Sequence, residues 1–157
     1  MTFVKTALFA VIAAASLQAV AAPISHTISL QATVPTSDFY VLPKDNSWIN
    51  QTQSLAYNQY TGNLAGLVKQ FDVKNSAGSI VGKLLSPAAL SSGTDSIALE
   101  VKFNNVALNT TDATVVQKAA AAAASTVNLE ITPVRGGGDY KAGVYSGNVQ
   151  LSFDAAI

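Results

Sequence analysis

Three stretches of this chain alternate apolar and polar residues with a period of two. Ile97, Leu99, Val101 and Phe103 stand against Ala98, Glu100 and Lys102; Val127, Leu129 and Ile131 stand against Asn128, Glu130 and Thr132. Near the end, Val149, Leu151 and Phe153 alternate with Asn148, Gln150, Ser152 and Asp154. Successive side chains of a strand point to opposite faces, so each stretch offers one apolar face to a core and one polar face to solvent. Charged residues make up only 11% of the chain, which argues against helices stitched by ion pairs. Cysteine is absent, so burial and strand pairing must hold the fold without disulfides.

Turn signals divide the rest at intervals suited to a β-sandwich. Two β-rich runs, 67–73 and 79–85, flank Asn75-Ser76-Ala77-Gly78, and the Asn and Gly there predict a hairpin with a tight turn. Asn104-Asn105 separates 97–103 from 106–108 in the same way, and Gly136-Gly137-Gly138-Asp139 separates the final two strands. Residues 87–95, rich in Ser and Gly, read as a loop. The exception to β is 118–124, one lysine and six alanines, which predicts a short helix of about two turns crossing between strands. The fold class expected is all-β.

The first 21 residues have the layout of a secretory leader: basic Lys5, an apolar run over 7–17, then small residues with Ala19 and Ala21 at the cleavage positions. Cleavage after Ala21 avoids placing Pro23 first in the mature chain. Ser16 and Gln18 interrupt the apolar run, which leaves it short of the about 20 residues that an uncleaved anchor needs. The remainder is large enough for one domain with a real core. Loss of Lys5 tips a balanced charge slightly acidic, with no basic stripe to follow phosphates, so nucleic acid is not a partner.

Behind the leader, between Pro23 and Pro35, lies a segment with a nearly apolar face at its even positions: Ile24, His26, Ile28, Leu30, Ala32 and Val34. Left in solvent it would present an aggregating edge, so something must cover it. Periodicity alone favours the plainer account, the first strand of a self-contained sandwich. The sharper account is strand addition between chains, in which the segment fills a groove in a neighbour.

Little here supports catalysis. His26 is the one histidine, and without cysteine no complete nucleophilic triad can form beyond that single imidazole. The carboxylates are scattered, with no calcium loop and no histidine pair for zinc, so neither a metal nor a cofactor is expected. The triple glycine lacks the Lys-Ser or Lys-Thr of a phosphate loop. Trp48, Tyr57 and Tyr60 suit stacking on a sugar, but single aromatics near strand ends more often pack. A self-contained secreted carbohydrate-binding sandwich stays open as the alternative. A small outer-membrane barrel is disfavoured by the few aromatics and the closing Ala155-Ala156-Ile157.

The run Gly143-Val144-Tyr145-Ser146-Gly147-Asn148-Val149-Gln150-Leu151-Ser152-Phe153 resembles the terminal β-motif of pilins assembled by the chaperone-usher pathway. The arm Ile28-Ser29-Leu30-Gln31-Ala32-Thr33-Val34-Pro35, the absence of cysteine, Leu55-Ala56-Tyr57, 100–111 and the alanine-rich stretch extend the likeness over 24–157. The chain is thus similar to the colonisation-factor-antigen (coli surface antigen) type of major fimbrial subunit, the alpha clade that includes the cable pilus subunit. Here proline follows the last valine of the arm directly, a small departure.

The resemblance implies an incomplete immunoglobulin-like sandwich with an N-terminal donor strand: 1–21 signal peptide, 22–35 donor-strand extension, 36–157 pilin domain. It implies Ile24, Ile28, Leu30, Ala32 and Val34 on the donor strand. Val149, Leu151 and Phe153 would line the accepting C-terminal strand, and Gly143 and Tyr145 would fix the approach to it. The implied partners are identical subunits in a head-to-tail fibre, a periplasmic chaperone, an outer-membrane usher, a tip adhesin and a host glycan. The implied destination is a fimbrium on the cell surface, reached through the periplasm, where the protein supports adhesion and catalyses nothing.

Overall fold

The computed structural model describes residues 38–157. The leader over 1–21, the extension over 22–35 with Ile24, Ile28, Leu30, Ala32 and Val34, and His26 lie outside the described residues. The described body is a two-sheet sandwich with every strand pair antiparallel. One sheet has the order β1 (Phe39–Pro43), β4 (Leu67–Asn75), β10 (Ser125–Pro133), β7 (Asp95–Phe103) and β6 (Ala89–Ser92), with β8 (Val106–Ala107) also on β7. The other has the order β11 (Leu151–Ala156), β5 (Ser79–Leu84) and β9 (Ala113–Val116). A small hairpin of β2 (Tyr57–Asn58) and β3 (Asn63–Leu64) stands apart.

The period-two stretches place their apolar residues as expected. Ile97, Leu99, Val101 and Phe103 on β7 and Val127, Leu129 and Ile131 on β10 are all buried, and the register sets Leu129 opposite Phe103 and Ile131 opposite Val101. Phe71 and Val73 from β4 join them, and Ile80, Leu84, Val115 and Val116 face them from the second sheet. Phe103 lies at the centre of the aromatic packing, 5.5 Å from Phe71 and 4.5 Å from Phe153 between ring centroids. Asn104 and Asn105, at φ 51° and 62°, make the two-residue turn that joins β7 to β8 with the strand twist matched.

Three local expectations are corrected. Residues 67–85 do form two strands, but not a hairpin: β4 pairs with β1 and β10, whereas β5 pairs with β11 and β9. The chain arches from one sheet to the other, so the apolar faces of the two strands stack across the core instead of lying side by side. Asn75, 1% exposed, builds the arch by donating from Nδ2 to the Ser79 carbonyl at 2.7 Å and accepting from the Ala77 N–H. Gly78 is required there by crowding and not by φ, since a Cβ would overlap the Ala156 carbonyl. The stretch 87–95 is not all loop, because β6 pairs with β7 across Gly93-Thr94. The helix α1 (Lys118–Ala121) is a single turn; it packs against β4 and β5, where the buried methyl of Ala121 permits close approach.

Candidate functional site: the edge of the C-terminal strand

The C-terminal segment changes sheets as it runs. At Ser146 it exchanges two backbone hydrogen bonds with Ser91 on β6, at 2.8 and 3.0 Å. From Gln150 onward it belongs to the second sheet, where the Leu85 N–H donates to the Gln150 carbonyl and β11 pairs with β5 from Leu151–Leu84 to Ala156–Ser79. The regular strand therefore starts later than the motif suggests. Among the described residues β5 is the one strand neighbour of β11, so the other edge of β11 has no strand beside it among them.

Val149, Leu151 and Phe153 all contact the core, yet all three are only half-buried, unlike the apolar residues of β7 and β10. Beside Val149 opens a cavity of about 790 Å³ walled by Leu67, Leu90, Leu99, Ile131 and Trp48. Leu99 and Ile131, each 9% exposed, are the least covered residues of the buried cluster. The core thus remains thin along this flank. Gly82, opposite Phe153 in the register, gives the ring its seat: a Cβ there would lie 2.9 Å from Phe153 Cδ1 and Cε1. Sequence reasoning missed this residue, although a glycine between Ile80 and Leu84 in an alternating strand is the usual mark of close approach.

Gly143 and Tyr145 lie before the strand. A Cβ on Gly143 would come 2.8 Å from Ser92 Oγ at the end of β6, and the Tyr145 hydroxyl donates to the Lys141 carbonyl at 3.1 Å. Both residues thus sit in local contacts on the stretch that precedes β11. Trp48 packs against the core. Its ring meets Phe71 edge-on at 6.0 Å and 77°, with Lys69 Nζ 5.2 Å from the ring centroid.

Three charged groups of the described body are shifted by their hydrogen-bond partners. Lys83 bonds Asp112 at 2.9 Å, and this hydrogen bond, with the attraction behind it, raises the lysine above its ordinary value. Lys141 is raised in the same way by Asp95. Hydrogen bonds from the Ser47 N–H and hydroxyl lower Asp45. Among the described residues no three of His, Cys, Asp or Glu converge as a metal site, and no helix is long and apolar enough to cross a membrane.

The family model for CS1 type fimbrial major subunits matches residues 24–154. Among solved structures the chain is similar to the CooA pilin subunit from enterotoxigenic Escherichia coli. The identity is 23%, the TM-score is 0.62, and the match covers 74% of this chain and 86% of that chain. At that identity the likeness speaks for the fold, an immunoglobulin-like pilin sandwich. No curated protein matches the chain.

Proposed function

The chain belongs to the family of CS1 type fimbrial major subunits, structural subunits of a surface fimbrium and not enzymes, and from that premise we propose that it polymerises by donor-strand exchange. Residues 22–35 of one subunit, freed once a leader over 1–21 is removed, enter the flank of the 36–157 domain of the next. Ile24, Ile28, Leu30, Ala32 and Val34 supply the donor face. The outer edge of β11, with Val149, Leu151 and Phe153, receives it. The observation that carries this reading is the coincidence of a one-sided strand edge with three half-buried apolar side chains that reach the core.

The energetics support a long-lived joint. Burial of Ile28, Leu30 and Val34 contributes about 1.5–3 kcal/mol each, and each new ladder hydrogen bond about 0.5–1.5 kcal/mol. Head-to-tail contacts of this kind do not close on themselves and so extend into a fibre. Before assembly the open flank needs cover, the task of a periplasmic chaperone that lends a strand and an outer-membrane usher that exchanges it. A single domain with one arm suits the shaft, with a separate adhesin at the tip, and the finished fibre supports adhesion to host glycans.

Electron microscopy of cells expressing the chain together with its export partners tests the joint. Leu30→Asp places a charge in the donor face and should abolish filaments, while 24–35 relinked after Ile157 should yield a soluble monomer. A chain lacking 22–35 that is soluble, monomeric and fully folded without a helper would overturn the proposal.

A further inference from the structure

Away from β11, the segment 134–145 lines two adjoining cavities, one against the β2–β3 hairpin and one against the start of β7. The larger, about 320 Å³, is lined by Tyr57, Tyr140 and Tyr145 over the apolar floor of Ile97 and Leu64. The smaller, about 210 Å³, shares Ile97, Tyr140 and Tyr145 and adds Asp95, Ser96 and Asp139. Of the two aromatics the sequence paired with Tyr57, Trp48 packs on Phe71 and Tyr60 is fully exposed; the fold sets Tyr140 and Tyr145 beside Tyr57 instead. None of these three tyrosines belongs to the core cluster.

We infer that these joined cavities bind a neutral saccharide about two rings long. The inference rests on the adhesive part of the function proposed above and places that adhesion on the shaft subunit itself. A tyrosine-lined cup beside a carboxylate-lined one calls for a ligand with an apolar face and a hydroxyl rim, which describes a pyranose. Asp95 and Asp139 accept hydroxyl protons as charge-assisted partners. Each carboxylate is already balanced, Asp95 by Lys141 at 2.6 Å and Asp139 by Arg135, so the site carries no uncompensated charge to attract an acidic sugar. The walls are tied in place: the Tyr145 hydroxyl donates to the Lys141 carbonyl, and Arg135 Nε donates to the Gly138 carbonyl at 3.0 Å.

Purified fimbriae applied to an array of neutral and sialylated oligosaccharides test the site, with filaments counted by electron microscopy. Wild-type fimbriae should retain neutral glycans, and Tyr140→Ala and Asp95→Asn should each weaken retention about tenfold, the loss of one good contact, with filament number unchanged. Should Tyr140→Ala fail to assemble, Tyr57→Ser removes a ring that is 50% exposed on the small hairpin and carries the same expectation. Wild-type filaments that retain no neutral glycan, that prefer sialylated ones, or that bind as well with the substitutions would sink the saccharide site alone. Loss of filaments with both tyrosine substitutions would assign the cup to packing between subunits and overturn the inference. Absence of filaments from wild-type cells would instead overturn the fibre assembly on which it rests.

Discussion

Phe153→Ala separates an unfinished sandwich from a finished one. A fully buried phenylalanine cut to alanine costs about 3–5 kcal/mol. In the described body Phe153 is only half-buried, held by Phe103 on one side and seated on Gly82. If nothing else covered the ring, about half of that cost, about 1.5–2.5 kcal/mol, would be lost on truncation. With residues 24–35 relinked after Ile157 the arm covers the ring, and the full loss of about 3–5 kcal/mol is expected. Urea titration of the relinked monomer reads the difference. With a slope of about 2 kcal/mol per molar, the midpoint should fall by about 2 M. A loss of only about 2 kcal/mol at an unchanged slope would mean that the arm does not reach Phe153, and the accepting strand would have to be sought elsewhere.

The same titration tests two glycines and the charges. Gly82→Ala drives a Cβ against the Phe153 ring and Val115 Cγ1 and should cost about 1–3 kcal/mol; unchanged stability would show that the ring does not sit on Gly82. Gly78→Ala meets backbone, the Ala156 carbonyl and the Ile157 Cα, which cannot swing aside as a ring can, so its loss should be at least as large. For pH, Asp45 is lowered from 3.8, so its contribution is complete above that value and lost as pH falls through its folded-state value. Lys83 and Lys141 are raised from 10.5, so theirs are complete below that value and lost as pH rises through their folded-state values. The contributions of these three groups should therefore be level from about pH 4 to about pH 10, and substitution of any of them should change the urea midpoint equally at pH 5 and pH 9.

Strand identity was legible and strand partnership was not. β7 and β10 announce themselves because a single buried face forces strict alternation, and Asn104-Asn105 announces a tight turn because asparagine tolerates positive φ. The arch after β4 carries similar turn residues and yet sends the chain across the core. Nothing local distinguishes a turn that pairs two strands from one that stacks them, because the choice is made by β10 and β11 far along the chain. β6 was hidden for another reason: a short strand rich in serine and alanine has no alternation to read. Along the C-terminal strand Val149, Leu151 and Phe153 were visible by period, but Gly82 gains its meaning only from the register that sets it under a ring.

The edges of the sandwich are not equally protected, and the difference bears on where a second chain can add. Natural edge strands are kept from pairing by proline, lysine, short length or a covering segment. β1 ends at Pro43 followed by Lys44, and β6 is short and bridged at Ser91 by Ser146. β9 is short and its pairing with β5 shifts register. Among the described residues β11 has none of these guards: it runs for 6 residues without proline or lysine, and its one charge, Asp154, lies on the exposed face. A strand so composed would be an aggregation hazard in a self-contained domain. In a subunit that must accept a neighbour's arm, a proline or lysine at this edge would obstruct the ladder on which assembly depends, so the missing guard is what the proposed joint requires.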